Sequence, residues 1–176
     1  ENLEKTKEIV RIAHACGVSV EAEIGHVPGS KNQPASGAPD ESMYTDPKDA
    51  VMFVNETGVD ALAVSIGTVH GAFVGEPKLD FERLKKIREM VDVPLVLHGG
   101  SGLPEADFRR CIDLGISKIN FFTELATAVS RAAYGVMKEK EGNIMWPDVS
   151  PTAEQAGIDV VKEQFRIFNT QPLHLD

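Results

Sequence analysis

The chain has 176 residues, 42% of them hydrophobic, two cysteines and a formal charge of −9. That length can bury one sizeable core. The acidic balance excludes a phosphate-backbone binder, which needs basic faces, and no apolar run reaches the roughly 20 residues of a membrane span.

With no secretory signal and no disulfide-like spacing, the sequence predicts a soluble protein of the reducing cytoplasm, with neither nucleic-acid nor membrane partners. Cys16 and Cys111 are expected as buried free thiols. From the start, Asn2 to Cys16 carries Leu3, Ile9, Val10, Ile12 and Ala13 at helical spacing and closes on Gly17. Val18 to Gly25 alternates as a strand that includes Glu21 and Glu23. A loop rich in Pro, Gly and Ser follows and ends at Asp46-Pro47, an N-cap with proline in the first helical position, so a helix runs to about Thr57.

The next strand, from Ala61, runs apolar into Ile66-Gly67-Thr68-Val69-His70-Gly71. A loop through Gly75-Glu76-Pro77 leads to a helix over Asp80 to Val91. The strand Pro94 to Leu97 then opens into His98-Gly99-Gly100-Ser101-Gly102. Pro104 to Leu114 reads as a helix closed by Gly115, Ser117 to Phe122 as a short strand, Thr123 to Lys140 as a long helix, and Thr152 to Asn169 as a terminal helix after a break over Gly142 to Pro151. Helix and strand thus alternate about every thirty residues, the signature of parallel βαβ units.

Both histidines follow apolar strands and precede glycine, on the side of an α/β fold where ligands sit. The glycines let backbone amides approach an anion, and Ser101 adds a hydroxyl. The pair predicts one shared site, with the imidazoles within about 6 Å of each other if two bonds of about 2.0 Å are to meet at one ion. Four strands suit half of a (β/α)8 barrel, which takes about 250 residues whole. An open doubly wound sheet is the other option, although no dinucleotide fingerprint follows the first strand. If the strands are the fifth to eighth of a barrel, Gly99 to Gly102 and Asn120 to Thr123 fall in the loops where barrels hold phosphate.

Several blocks resemble the class II, zinc-dependent ketose-bisphosphate aldolases, the family of fructose- and tagatose-bisphosphate aldolases. They are Val20-Glu21-Ala22-Glu23-Ile24-Gly25, Thr57-Gly58-Val59-Asp60, Ile66 to Gly71, Pro77-Lys78-Leu79-Asp80-Phe81, His98 to Gly102 and Lys118-Ile119-Asn120. The resemblance implies the second half of a (β/α)8 TIM barrel plus C-terminal helices. Residues 1–176 would then be the C-terminal part of a single barrel domain whose N-terminal half is absent, catalytically incomplete alone. It implies one catalytic Zn2+ held by His70, His98 and Glu23, and allows a second divalent or monovalent cation. Glu21 stands as a supporting residue.

Dihydroxyacetone phosphate would contact Gly71, Gly99, Gly100, Ser101, Asn120, Phe121, Phe122 and Thr123, with Asn120 the catalytic residue near the reacting carbon. The implied reaction cleaves or forms a ketose 1,6-bisphosphate from dihydroxyacetone phosphate and an aldehyde, in a homodimer or homotetramer.

The chain departs from the family pattern in three places. Lys31 and Asn32 stand where most members carry Glu-Asp, with Asp40 and Glu41 further along the same loop. Phe122 replaces the aspartate of many fructose-specific members, as in the tagatose branch. The family's Asp-His pair, which supplies a third ligand and a proton-transfer acid, does not precede the first helix. These departures carry the alternative of a non-catalytic phosphosugar-binding or assembly module. His26 beside the site, and His14 and His174 away from it, are expected to be solvated or structural.

Overall fold

The computed structural model describes residues 1–29, 40–71 and 77–172. Lys31, Asn32, the Gly75-Glu76 turn and His174 lie outside the described residues. The chain divides into two compact units, residues 1–120 and 121–176.

In the first unit four strands, β1 (Glu21–Ile24), β2 (Ala61–Val64), β3 (Leu95–Leu97) and β4 (Ile116–Ile119), form one parallel sheet in chain order. The helices α1 (Asn2–Ala15), α2 (Pro47–Thr57), α3 (Phe81–Met90) and α4 (Glu105–Asp113) touch in succession, α1 to α2, α2 to α3 and α3 to α4. A doubly wound sheet reverses its strand order partway and covers both faces. The monotonic order found here is that of a (β/α)8 barrel segment.

Local chemistry sets these elements. Asp46 accepts from Lys48 N at 2.7 Å ahead of Pro47, and α2 ends at Gly58 in the left-handed region. Asp80 caps α3 by accepting from Arg83 N at 2.9 Å. Leu62, Val64, Leu95 and Leu97 from the sheet are buried, as are Leu84, Ile87 and Phe108 from the helices. On α1 the inward face is narrower than the sequence predicts: Thr6 and Val10 are buried, whereas Ile9 and Ile12 are exposed.

The second unit is a helix pair, α5 (Thr123–Glu139) and α6 (Trp146–Phe168). They approach closely at Gly157, where an added Cβ would meet Val129 Cγ2 at 3.2 Å. Helix α6 starts six residues before the predicted Thr152. Pro147 occupies its first turn, where no N–H partner is needed, and Pro151 removes a single bond without ending the helix.

The cysteines also differ from expectation, since Cys111 is buried but Cys16 at the end of α1 is exposed. Burial pushes the Cys111 thiol up to about 12, with the nearby Asp107 carboxylate adding to it. Because the thiolate is the reactive species, a disulfide reagent at pH 8 should modify one thiol in the native protein and two in guanidinium chloride. Rapid modification of both in native protein would contradict this burial.

Candidate active site

Residues two apart on a strand share a face. The register aligns Glu23 with Ala63, Ala63 with Val96 and Val96 with Lys118. Glu21, His98 and Asn120 stand two residues from members of that row and continue the same face. A one-residue bulge makes this possible on β4: Leu95 pairs with Ile116, but Val96 pairs with Lys118, leaving Ser117 as the extra residue. In an unbroken register Ser117 would take the inner position and Lys118 would turn toward the helices.

Long side chains span the two intervening strands on this face: Lys118 Nζ on β4 lies 2.9 Å from Glu21 Oε2 on β1. His98, directly after β3, sits between two carboxylates. Its Nδ1 bonds Glu23 Oε2, and its Nε2 lies 2.9 Å from Glu21 Oε1. The hydrogen bond to Glu23 outweighs the cost of burial and, with the bond to Glu21, raises His98 above the usual imidazole range. Burial works against an ionised Glu21, but hydrogen bonds from Lys118 and His98 prevail and hold its carboxyl below its ordinary value.

His70 is placed differently from the sequence expectation. The β2 ladder stops at Val64 because Ser65 N donates to Thr45 Oγ1 at 2.9 Å, so His70 lies on the loop beyond the strand. That loop is anchored to the one after β1: His70 N donates to Pro28 O at 2.7 Å. Gly99, with φ +69°, packs so closely on the same loop that an added Cβ would stand 2.5 Å from Val69 O. Thr45 and Ser65 tie these loops further, through Thr45 Oγ1 to Ile24 O at 2.7 Å and Ser65 Oγ to His26 O at 2.9 Å. Both are buried, and as small polar residues without periodicity they gave no signal in the sequence.

The His70 and His98 rings have centroids 6.3 Å apart and are tilted by 41°. Two imidazoles on one tetrahedral zinc, at about 2.0 Å per bond, bring their centroids to about 5 Å. No group of three or more His, Cys, Asp or Glu residues is placed to hold a metal among the described residues. The donor types fit zinc, two imidazoles with a carboxylate at Glu23, whereas the spacing requires His98 to swing off its carboxylates.

Of the remaining expected contacts, Gly100 and Ser101 are buried beside Gly99, and Gly71 follows His70 at a bend with φ +95°. Asn120 extends the β4 ladder, its N donating to Leu97 O at 2.9 Å, and its Oδ1 accepts from Lys118 Nζ at 2.6 Å. Phe121, Phe122 and Thr123 belong to the second unit. There Phe122 precedes the first turn of α5, and Thr123 O accepts from Thr127 Oγ1 at 2.7 Å. Ala126 N closes that first turn by donating to Phe122 O at 2.9 Å. Asp40, further along the loop after β1, accepts from Ser42 N as the cap of a 3-10 turn at Glu41–Met43.

The family model for fructose-bisphosphate aldolase class-II matches residues 1–172. Among solved structures, the YdjI aldolase from Escherichia coli K12 is 38% identical, with a TM-score of 0.78 over 96% of this chain and 56% of that one. A Coccidioides immitis protein described as a fructose-1,6-bisphosphate aldolase is 32% identical, with a TM-score of 0.80 over 96% of this chain and 58% of that one. The fructose-bisphosphate aldolase of Campylobacter jejuni, 22% identical with a TM-score of 0.75, shares the fold. The chain therefore spans between half and two thirds of the length of these proteins.

Proposed function

Because the chain belongs to the class II fructose-bisphosphate aldolase family, we propose that it carries the second half of an aldolase barrel. The whole protein would reversibly cleave a ketose 1,6-bisphosphate to dihydroxyacetone phosphate and an aldehyde. The observation that supports this best is the single sheet face that Glu23, His98 and Asn120 share toward the carboxyl ends of their strands. This is the end of a barrel where catalysis occurs.

In this reading His70, His98 and Glu23 hold the metal. A bound zinc supplies Lewis-acid polarisation of the ketone and stabilises enediolate charge. The backbone around Gly71, Gly99, Gly100 and Ser101 receives the phosphate through N–H groups and hydroxyls, and Phe121 to Thr123 stand as substrate contacts on the family pattern alone. Asn120 directs its carboxamide at a substrate oxygen near the reacting carbon. Proton transfer falls to Asp40 or Glu41 of the loop after β1. The reading includes a homodimer or homotetramer.

The whole protein loaded with zinc should release dihydroxyacetone phosphate from fructose or tagatose 1,6-bisphosphate. A chelator should stop the reaction and added zinc restore it. Lys31 and Asn32, standing in place of the family's acids, favour a second reading as a phosphosugar-binding or assembly module. Tight binding of dihydroxyacetone phosphate with no cleavage of either ketose would select that reading.

A further inference from the structure

Lys118 joins two parts of the site that share no direct hydrogen bond. Its ammonium lies 2.9 Å from Glu21 Oε2 and 2.6 Å from Asn120 Oδ1, and the other oxygen of Glu21 meets His98 Nε2 at 2.9 Å. A continuous path thus runs from Asn120 through Lys118 and Glu21 to His98 and on to Glu23. The side chain is about half exposed, 53%. An exposed lysine ordinarily samples many rotamers, and here two acceptors fix its head.

An ammonium has donors and no acceptor, so only the carbonyl oxygen of a carboxamide can face it. With Oδ1 taken, Asn120 presents its NH2 hydrogens elsewhere. An asparagine without such a partner offers either end. We propose that Lys118, itself held by Glu21, is a positioning residue that fixes Asn120 as a hydrogen-bond donor to a substrate oxygen. The inference rests on the reading of Asn120 as a substrate contact. The β4 bulge at Ser117 is the backbone device behind it, because it brings Lys118 onto the face of Asn120.

The test uses the whole protein with zinc and whichever ketose bisphosphate it cleaves. K118M should lower kcat by about ten- to a hundredfold with little change in KM, the scale of a charge-assisted hydrogen bond. K118R, which keeps the donors, should recover most of the loss. In an N120A background K118M should cost less than about threefold more, because both changes remove the same orientation. Full multiplication of the two losses, or a K118R variant as impaired as K118M, overturns the proposal while leaving the aldolase reading intact.

Should the wild type cleave no ketose, that reading fails, and nitrogen-15 spectra of the Asn120 carboxamide decide the positioning separately. The resonance pair that vanishes in N120A should shift toward free-amide values in K118M and stay near its native position in K118R. A pair unmoved by K118M overturns the proposal.

Discussion

His98→Ala is expected to remove zinc and cleavage together, with activity falling about a thousandfold or more. Lewis-acid stabilisation by a catalytic metal is worth several kcal/mol, and each 1.36 kcal/mol is tenfold in rate. His98 is the hinge of the arrangement because it touches both carboxylates of β1 and directly precedes Gly99. Removing it leaves Glu21 held by Lys118 and Glu23 without its imidazole partner. His14→Ala is the matched control: His14 sits on α1, 2.9 Å from Asp60, and its loss should change neither metal content nor rate. Metal analysis and steady-state kinetics on both variants check this. A His98→Ala protein that keeps stoichiometric zinc would remove His98 from the ligand set.

Much of this arrangement was legible in the sequence because it rests on short-range rules. The helix start at Asp46-Pro47 is local cap chemistry, and the structure places α2 accordingly; the helix read over Asp80 to Val91 is α3. Strand-end histidines are also local, as His98 after Leu97 shows. His70 was harder to place, because its strand ends where Thr45, twenty residues earlier in the chain, captures Ser65 N. No periodicity within the apolar run reveals that long-range bond.

The role of Lys118 was hidden for a related reason. Its spacing of two from Asn120 suggests a shared face, but the bulge at Ser117 decides which face that is, and the partner Glu21 is 97 residues earlier in the chain. The α6 start was missed because Pro151 looks like a terminator, whereas a proline one turn into a helix costs one bond and leaves the rest of the turn intact.

Gly99→Ala should destabilise the protein by about 2 to 6 kcal/mol, the sum of left-handed strain of about 1–3 kcal/mol and a steric overlap of about 1–3 kcal/mol. A Cβ there would stand 2.5 Å from Val69 O, 2.7 Å from Val69 C and 3.1 Å from Val27 Cγ1. These neighbours are backbone and a buried side chain, so relief means moving the β2 loop away. Gly58 separates the two contributions, because it has the same φ of +69° but nothing within 4 Å of its Cβ position. Gly58→Ala should therefore show the strain alone, about 1–3 kcal/mol, and Gly99→Ala the larger loss. At about 2–4 °C per kcal/mol for a protein of this size, the melting temperatures should separate clearly. The overlap also acts on function, since the Gly99 to Val69 approach holds the loop of His70 against the turn after His98. Gly99→Ala should therefore weaken zinc binding while Gly58→Ala leaves it unchanged, and equal effects of the two on stability and zinc would show that close packing at Gly99 does not hold the histidines together.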